Sequence, residues 1–141
     1  LERWSSSPIE DRNLLIDLVA FNVVIGNCDA HLKNYSLLRS SDWKRLRLAP
    51  AYDLVSTCVY DGLTNELGMR IGEARRLDDV TRQSFEELAK QVGMTPRLVL
   101  RRLDNVLERI REALRTMSCE SAVEERYAAR CIKGLAVLSE G

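Results

Sequence analysis

The hydrophobic pattern is densest from Leu14 to Ile25. Leu14, Leu15, Leu18, Val19, Phe21, Val23, Val24 and Ile25 leave few interruptions, such as Asp17 and Asn22. A helix that is apolar on nearly all sides is buried rather than amphipathic. Ser7-Pro8-Ile9-Glu10 predicts its start, with Ser7 as cap, Pro8 in the first turn and Glu10 completing a capping box. Gly26 predicts its stop. Tyr35–Leu38 and Arg45–Leu48 then read as two short strands, with Ser40, Ser41 and Asp42 supplying the turn between them. Residues 56–76 are the least legible. Asp61-Gly62 suggests a turn, and Glu66–Ile71 fits a short strand or a loop.

Helical periodicity returns in the second half. Phe85, Leu88, Ala89 and Val92 keep i, i+3, i+4, i+7 spacing after a Thr81 cap and before a Gly93 stop. Thr95-Pro96 opens a second helix by the same cap-then-proline logic. Its apolar stripe is Val99, Leu103, Val106, Ile110, Ala113 and Met117. Val123, Tyr127, Cys131, Leu135 and Leu138 predict a last helix, against which Gly134 counts. Arg97, Arg101, Arg102, Arg109, Arg111 and Arg115 alternate with Asp104, Glu108 and Glu112, which reads as a solvated, ion-paired helix face. The chain is mainly α, with no internal repeat and no low-complexity segment.

Composition narrows the function classes. A chain of 141 residues fits one domain with a real core. It carries 21 Lys+Arg against 21 Asp+Glu, mixed along its length, so bulk charge gives no support for a nucleic-acid or membrane-surface role. No apolar run reaches membrane-spanning length and the N-terminus has no signal-peptide pattern, so a cytoplasmic protein is expected. Cys28, Cys58, Cys119 and Cys131 lack C-x-x-C spacing, and there is one histidine, which argues against structural zinc. Reduced thiols are expected, and a redox role for Cys28 is disfavoured.

The chemistry is concentrated in Gly26-Asn27-Cys28-Asp29-Ala30-His31-Leu32-Lys33-Asn34 and in Pro50-Ala51-Tyr52-Asp53. An aspartate, an asparagine five residues later and a second aspartate further on are the minimum needed to hold a substrate hydroxyl and the Mg2+ of a bound ATP. Asp29 is the candidate base beside the transferring phosphoryl group. Asn34 and Asp53 are the candidate cofactor-binding metal ligands, since hard oxygens suit Mg2+. His31 and Lys33 complete the candidate catalytic loop in support of Asp29. Each also has a plainer reading: Asp29 and Asp53 as turn formers, Asn34 as a left-handed loop end, His31 as packing, Lys33 as solvated. Asn27 is expected to brace the loop. Tyr52 is expected in the core behind Asp53, and Trp43 at the hairpin tip reads as a packing residue or a partner contact, with packing favoured.

The runs IGNCDAHLKNYSLL and LAPAYDLVST resemble the HipA-like toxin kinases of bacterial toxin–antitoxin systems. The likeness is dense from about Leu14 to Thr57 and looser beyond. It implies that residues 1–141 are the helical C-terminal lobe of a protein-kinase-like fold, with a short β-hairpin carrying the catalytic and metal-binding loops. The nucleotide-clamping lobe would lie elsewhere, since no Gly-rich loop or V-A-I-K-like lysine precedes the first helix. It further implies transfer from ATP to a Ser or Thr of a protein, in some members an aminoacyl-tRNA synthetase, and restraint by a DNA-binding antitoxin. Leu54-Val55 follow Asp53 where ordinary protein kinases have Phe-Gly, so a flipping-Phe activation does not carry over. Two other readings stand beside this one: a small-molecule or lipid kinase lobe sharing the loop, and a catalytically silent helical module that binds a partner.

Overall fold

In the computed structural model, residues 1–140 are described. The apolar run forms α1 (Pro8–Ile25), which closes on Gly26 in the left-handed conformation (φ 74°). Its C-terminal end is buried all round, from Val19 to Ile25 apart from half-buried Phe21, and burial continues through Cys28 in the loop beyond; its N-terminal half is only partly covered, leaving Ile9 and Leu14 exposed. The expected capping box does not form. Ser7 makes no side-chain cap, and Glu10 is drawn instead to Arg47 Nη2 at 2.8 Å. Tertiary contacts have taken over this first turn. Asp11, 1% exposed, accepts from Ser5 Oγ at 2.5 Å, from Leu48 N–H at 2.8 Å and from Arg47 Nε at 2.9 Å.

The predicted hairpin is β1 (Leu37–Arg39) with antiparallel β2 (Leu46–Leu48), in the register Leu37–Leu48, Leu38–Arg47, Arg39–Leu46. Trp43 does not pack. It stands 75% exposed at the tip, at φ 60°, with the Arg39 guanidinium 5.5 Å from its ring. Its ring meets the guanidinium of a strand neighbour and otherwise faces solvent. A second hairpin, β3 (Glu66–Ile71) and β4 (Ala74–Arg76), resolves the illegible stretch. Short 3-10 turns at Leu32–Asn34, Thr57–Val59 and Leu77–Asp79 link these pieces.

The three later helices follow their periodicity: α2 (Arg82–Gln91), α3 (Pro96–Thr116) and α4 (Ala122–Ser139). Thr81 N–H is held by Ser84 Oγ at 3.2 Å, whereas Thr95 makes no side-chain cap. Ser121 and Glu124 form the reciprocal capping box that starts α4. Helix α1 lies against both α3 and α4, and α2 against α3. Their shared core joins Val19, Val23 and Val24 to Phe85, Leu103, Val106, Cys131 and Leu138. Arg102 leaves the face assigned to it. It donates to the Asp17 carboxylate and to Asn13 O, bridging α3 to α1. Arg111 does pair along its own helix, with Glu108 at 2.5 Å.

Gly134 does not break α4; it permits the helix crossing. A Cβ there would lie 2.9 Å from Val24 O and 3.0 Å from Val24 Cα. Only a residue without a side chain lets α4 approach α1 this closely.

Candidate phosphotransfer site

The last carbonyls of a helix have no partner within it and must find one elsewhere. In α1 that need builds the site. Asn22 O accepts from Asn27 N–H at 2.8 Å, and Val23 O accepts from Arg130 Nη2 at 2.9 Å. Ile25 O accepts from Ser56 Oγ. Gly26 O accepts from Thr57 N–H at 3.1 Å and Cys58 N–H at 3.2 Å. The chain on either side of the hairpin is thereby fastened to one helix end. The loop after α1 and the loop around Asp53 are therefore neighbours.

Asn27 is the centre of the site. Buried, it donates from Nδ2 to Asn22 Oδ1 and to Asp53 O, both at 2.9 Å. Its Oδ1 accepts from Asp29 N–H at 3.2 Å. One side chain thus sets the backbone of both aspartates. Asn22 continues the network outward, donating to Tyr35 Oη at 3.2 Å. The expected brace is present, and Asn22, which read only as an interruption of the apolar run, is its anchor. A buried asparagine one helical turn before the end of an apolar helix was the available signal, because such an amide needs partners.

Asn34 Nδ2 donates to Asp53 Oδ2 at 2.5 Å, joining positions 19 residues apart. Asn34 Oδ1 is buried without a hydrogen-bond partner. Asp53 has φ 58°, a left-handed conformation that Asp tolerates better than most residues and that, at a cost in free energy, persists where its surroundings fix it. The Asn27 bond to its carbonyl is one such restraint. Asp29, Lys33 and Asp53 are exposed, and His31 and Asn34 are half-buried. His31 Nδ1 lacks a partner, and His31 O accepts the Asn34 N–H at 2.9 Å. Tyr52 is not in the core. It is 45% exposed, and its hydroxyl donates forward to Lys33 O at 2.7 Å and lies 2.8 Å from Ser36 Oγ. It clamps the loop from the solvent side, held there by its bond to Lys33 O.

Strand β3 backs the first loop. Gly68 N–H donates to Cys28 O at 2.7 Å, and a Cβ at Gly68 would lie 3.2 Å from both that oxygen and His31 Cβ. Sequence reasoning missed this support, since the alternation along β3 does not say which loop it meets. Burial, then the adjacent Cys58, pushes the Cys28 thiol up to about 11, so it stays protonated at neutral pH.

The arrangement offers two oxygen-bearing groups in contact, an exposed carboxylate on the same brace and an exposed ammonium. The Asn34 and Asp53 side chains meet through the Asn34 amide nitrogen, and the Asn34 oxygen is buried without a partner; both residues carry hard oxygens of the kind Mg2+ takes, and a turn of the Asn34 amide would bring its oxygen toward the carboxylate. Among the described residues no helix is long and apolar enough to cross a membrane.

Residues 1–114 match the family described as the HipA-like C-terminal domain. A Sinorhizobium fredii protein named "Putative kinase Y4mE" is 39% identical over 114 residues, covering 81% of this chain and 27% of that protein. The Shewanella oneidensis "Serine/threonine-protein kinase toxin HipA" is 26% identical over 108 residues, covering 77% of this chain and 24% of the toxin. The chain thus spans about a quarter of the length of these relatives. A structure of the Shewanella oneidensis toxin–antitoxin complex of HipA, HipB and operator DNA superposes with a TM-score of 0.68 at 23% identity, over 88% of this chain and 30% of that one. That likeness is one of fold.

Proposed function

This chain belongs to the HipA-like C-terminal domain family, and from that premise we propose that it is the C-terminal lobe of an ATP- and Mg2+-dependent serine/threonine protein kinase of the HipA toxin type. The observation that carries the reading is the Asn34–Asp53 contact at 2.5 Å, set on the same Asn27 brace that holds Asp29. That bond holds side by side, across the hairpin, the two residues whose side-chain oxygens suit Mg2+.

Bound ATP with Mg2+ would supply the phosphoryl group and neutralise its charge. Asn34 and Asp53 would hold it through their side-chain oxygens. Asp29, free at its carboxylate and fixed at its backbone, accepts a hydrogen bond from the acceptor hydroxyl and orients it. In a loose transition state that orientation matters more than base strength. Lys33 adds positive charge on the exposed side of the loop, and His31 packs it. The acceptor is a Ser or Thr of a protein, with an aminoacyl-tRNA synthetase as one candidate. A DNA-binding antitoxin is the proposed restraining partner, in keeping with the complex named for the structural relative. Direct nucleic-acid contact is not part of the proposal, given a net charge of zero.

The test is transfer from labelled ATP with Mg2+ in a cell extract, by the full-length polypeptide and its Asp29→Asn form. A labelled protein band should appear and fall on the order of 100-fold or more with the substitution. A band that survives Asp29→Asn removes Asp29 from the chemistry. No band from a folded, ATP-binding parent points to a small-molecule acceptor or a silent module.

A further inference from the structure

Cys28 and Cys58 lie 30 residues apart in sequence, yet their sulfurs are 3.6 Å apart. Both are free thiols; Cys28 is 5% exposed and Cys58 is open to solvent. Their backbones are already pinned to each other. Thr57 Oγ1 accepts the Cys28 N–H at 3.0 Å, Cys58 N–H donates to Gly26 O at 3.2 Å, and Gly68 N–H holds Cys28 O at 2.7 Å. The contact is therefore built into the same helix end that builds the site. We propose that this pair is an oxidant-driven disulfide site that ties the loop carrying Asp29 to the 57–59 turn.

The co-reactant is a hydroperoxide. The exposed Cys58 sulfur attacks its O–O bond, giving the Cys58 sulfenic acid and, from hydrogen peroxide, one water. The Cys28 sulfur then attacks the Cys58 sulfur, the S–O bond breaks, and hydroxide leaves as water with the Cys28 proton. Two electrons pass from the thiol pair to the peroxide, and one S–S bond forms. Bond formation needs the sulfurs to close to about 2.05 Å, a movement of roughly 1.5 Å. Cys58 supplies it, because its turn is at the surface whereas Cys28 is held from both sides. Burial assigns Cys28 the resolving part, because a hydroperoxide reaches the exposed Cys58 sulfur first. Cys119, exposed, and Cys131, buried, have no sulfur partner of this kind among the described residues.

Peptide mapping decides the matter independently of any kinase activity. The full-length polypeptide is treated with hydrogen peroxide, unfolded, alkylated and digested with trypsin. Residues 13–33 and 48–70 are single tryptic peptides, each with one cysteine. The expected product is these two peptides joined, lost on treatment with dithiothreitol and lost in Cys58→Ser. In that variant Cys28 should remain fully alkylatable after unfolding. Cys58 recovered as sulfinic acid, or joined to Cys119 of a second molecule, with Cys28 fully alkylated, overturns the proposal. Cys58 is exposed, so the serine variant is expected to fold; a thermal melt matching the parent checks it.

Discussion

Asp11 shows how far one buried carboxylate reaches. Burial alone would raise its pKa, but hydrogen bonds from Ser5, the Leu48 N–H and Arg47 outweigh it and hold the carboxyl below its ordinary value of 3.8. A depressed folded-state pKa contributes stability that is fully present above the unfolded value and is lost as pH falls through the folded one. Asp11→Asn should therefore cost about 3 kcal/mol near neutral pH, the scale for breaking a buried charged pair. The gap between parent and variant should hold above about pH 4 and narrow as pH falls from there through the depressed folded-state value. Urea unfolding at a series of pH values measures it, and a gap constant across that range would show that charge is not the reason. Asp11 fixes the start of α1 to β2, and Asn27 fixes its end to the Asp29 and Asp53 loops. Polar side chains at the two ends of one helix thus hold the hairpin that separates the two loops.

Among the elements, α1 and α4 define the scaffold, and their crossing depends on Gly134. Gly134→Ala gains up to about 1 kcal/mol of helix propensity. It also forces a methyl to 2.9 Å from the Val24 carbonyl, where the contacting atoms are backbone and cannot rotate away. Overpacking of this kind costs about 1–3 kcal/mol, so net destabilisation is expected, read as a lowered melting temperature. A raised melting temperature would mean that α4 can slide away from α1 without loss. The arginines of α3 illustrate the same principle. Local spacing placed Arg102 on a solvated face, but Asp17 of α1 is the better partner, because the pair is bidentate and mostly out of solvent, where charge-assisted bonds are stronger.

At the scale of the whole molecule, the core is closed but the candidate site is open. Asp29, Lys33 and Asp53 all face solvent, and among the described residues no element covers them. Positioning supplies most of phosphoryl-transfer catalysis. The isolated chain should therefore fold, bind ATP very weakly and show no useful turnover. Transfer to a peptide near the ordinary kinase rate of about 1 per second would contradict this; the assay compares the chain alone with the full-length polypeptide. The amino-acid sequence by itself determined the four helices, the first hairpin and the candidate residues, because periodicity and motif spacing are local properties. It could not determine where Trp43 and Tyr52 would point, since an aromatic side chain reads the same whether a neighbour covers it or not. Nor did it reveal that Glu10 would leave its cap for Arg47, that Gly134 would mark a helix crossing, or that β3 would support Cys28. Those outcomes, and the meeting of Cys28 with Cys58, depend on partners 30 or more residues away. Only the packing of the helices around α1 could bring such partners within reach.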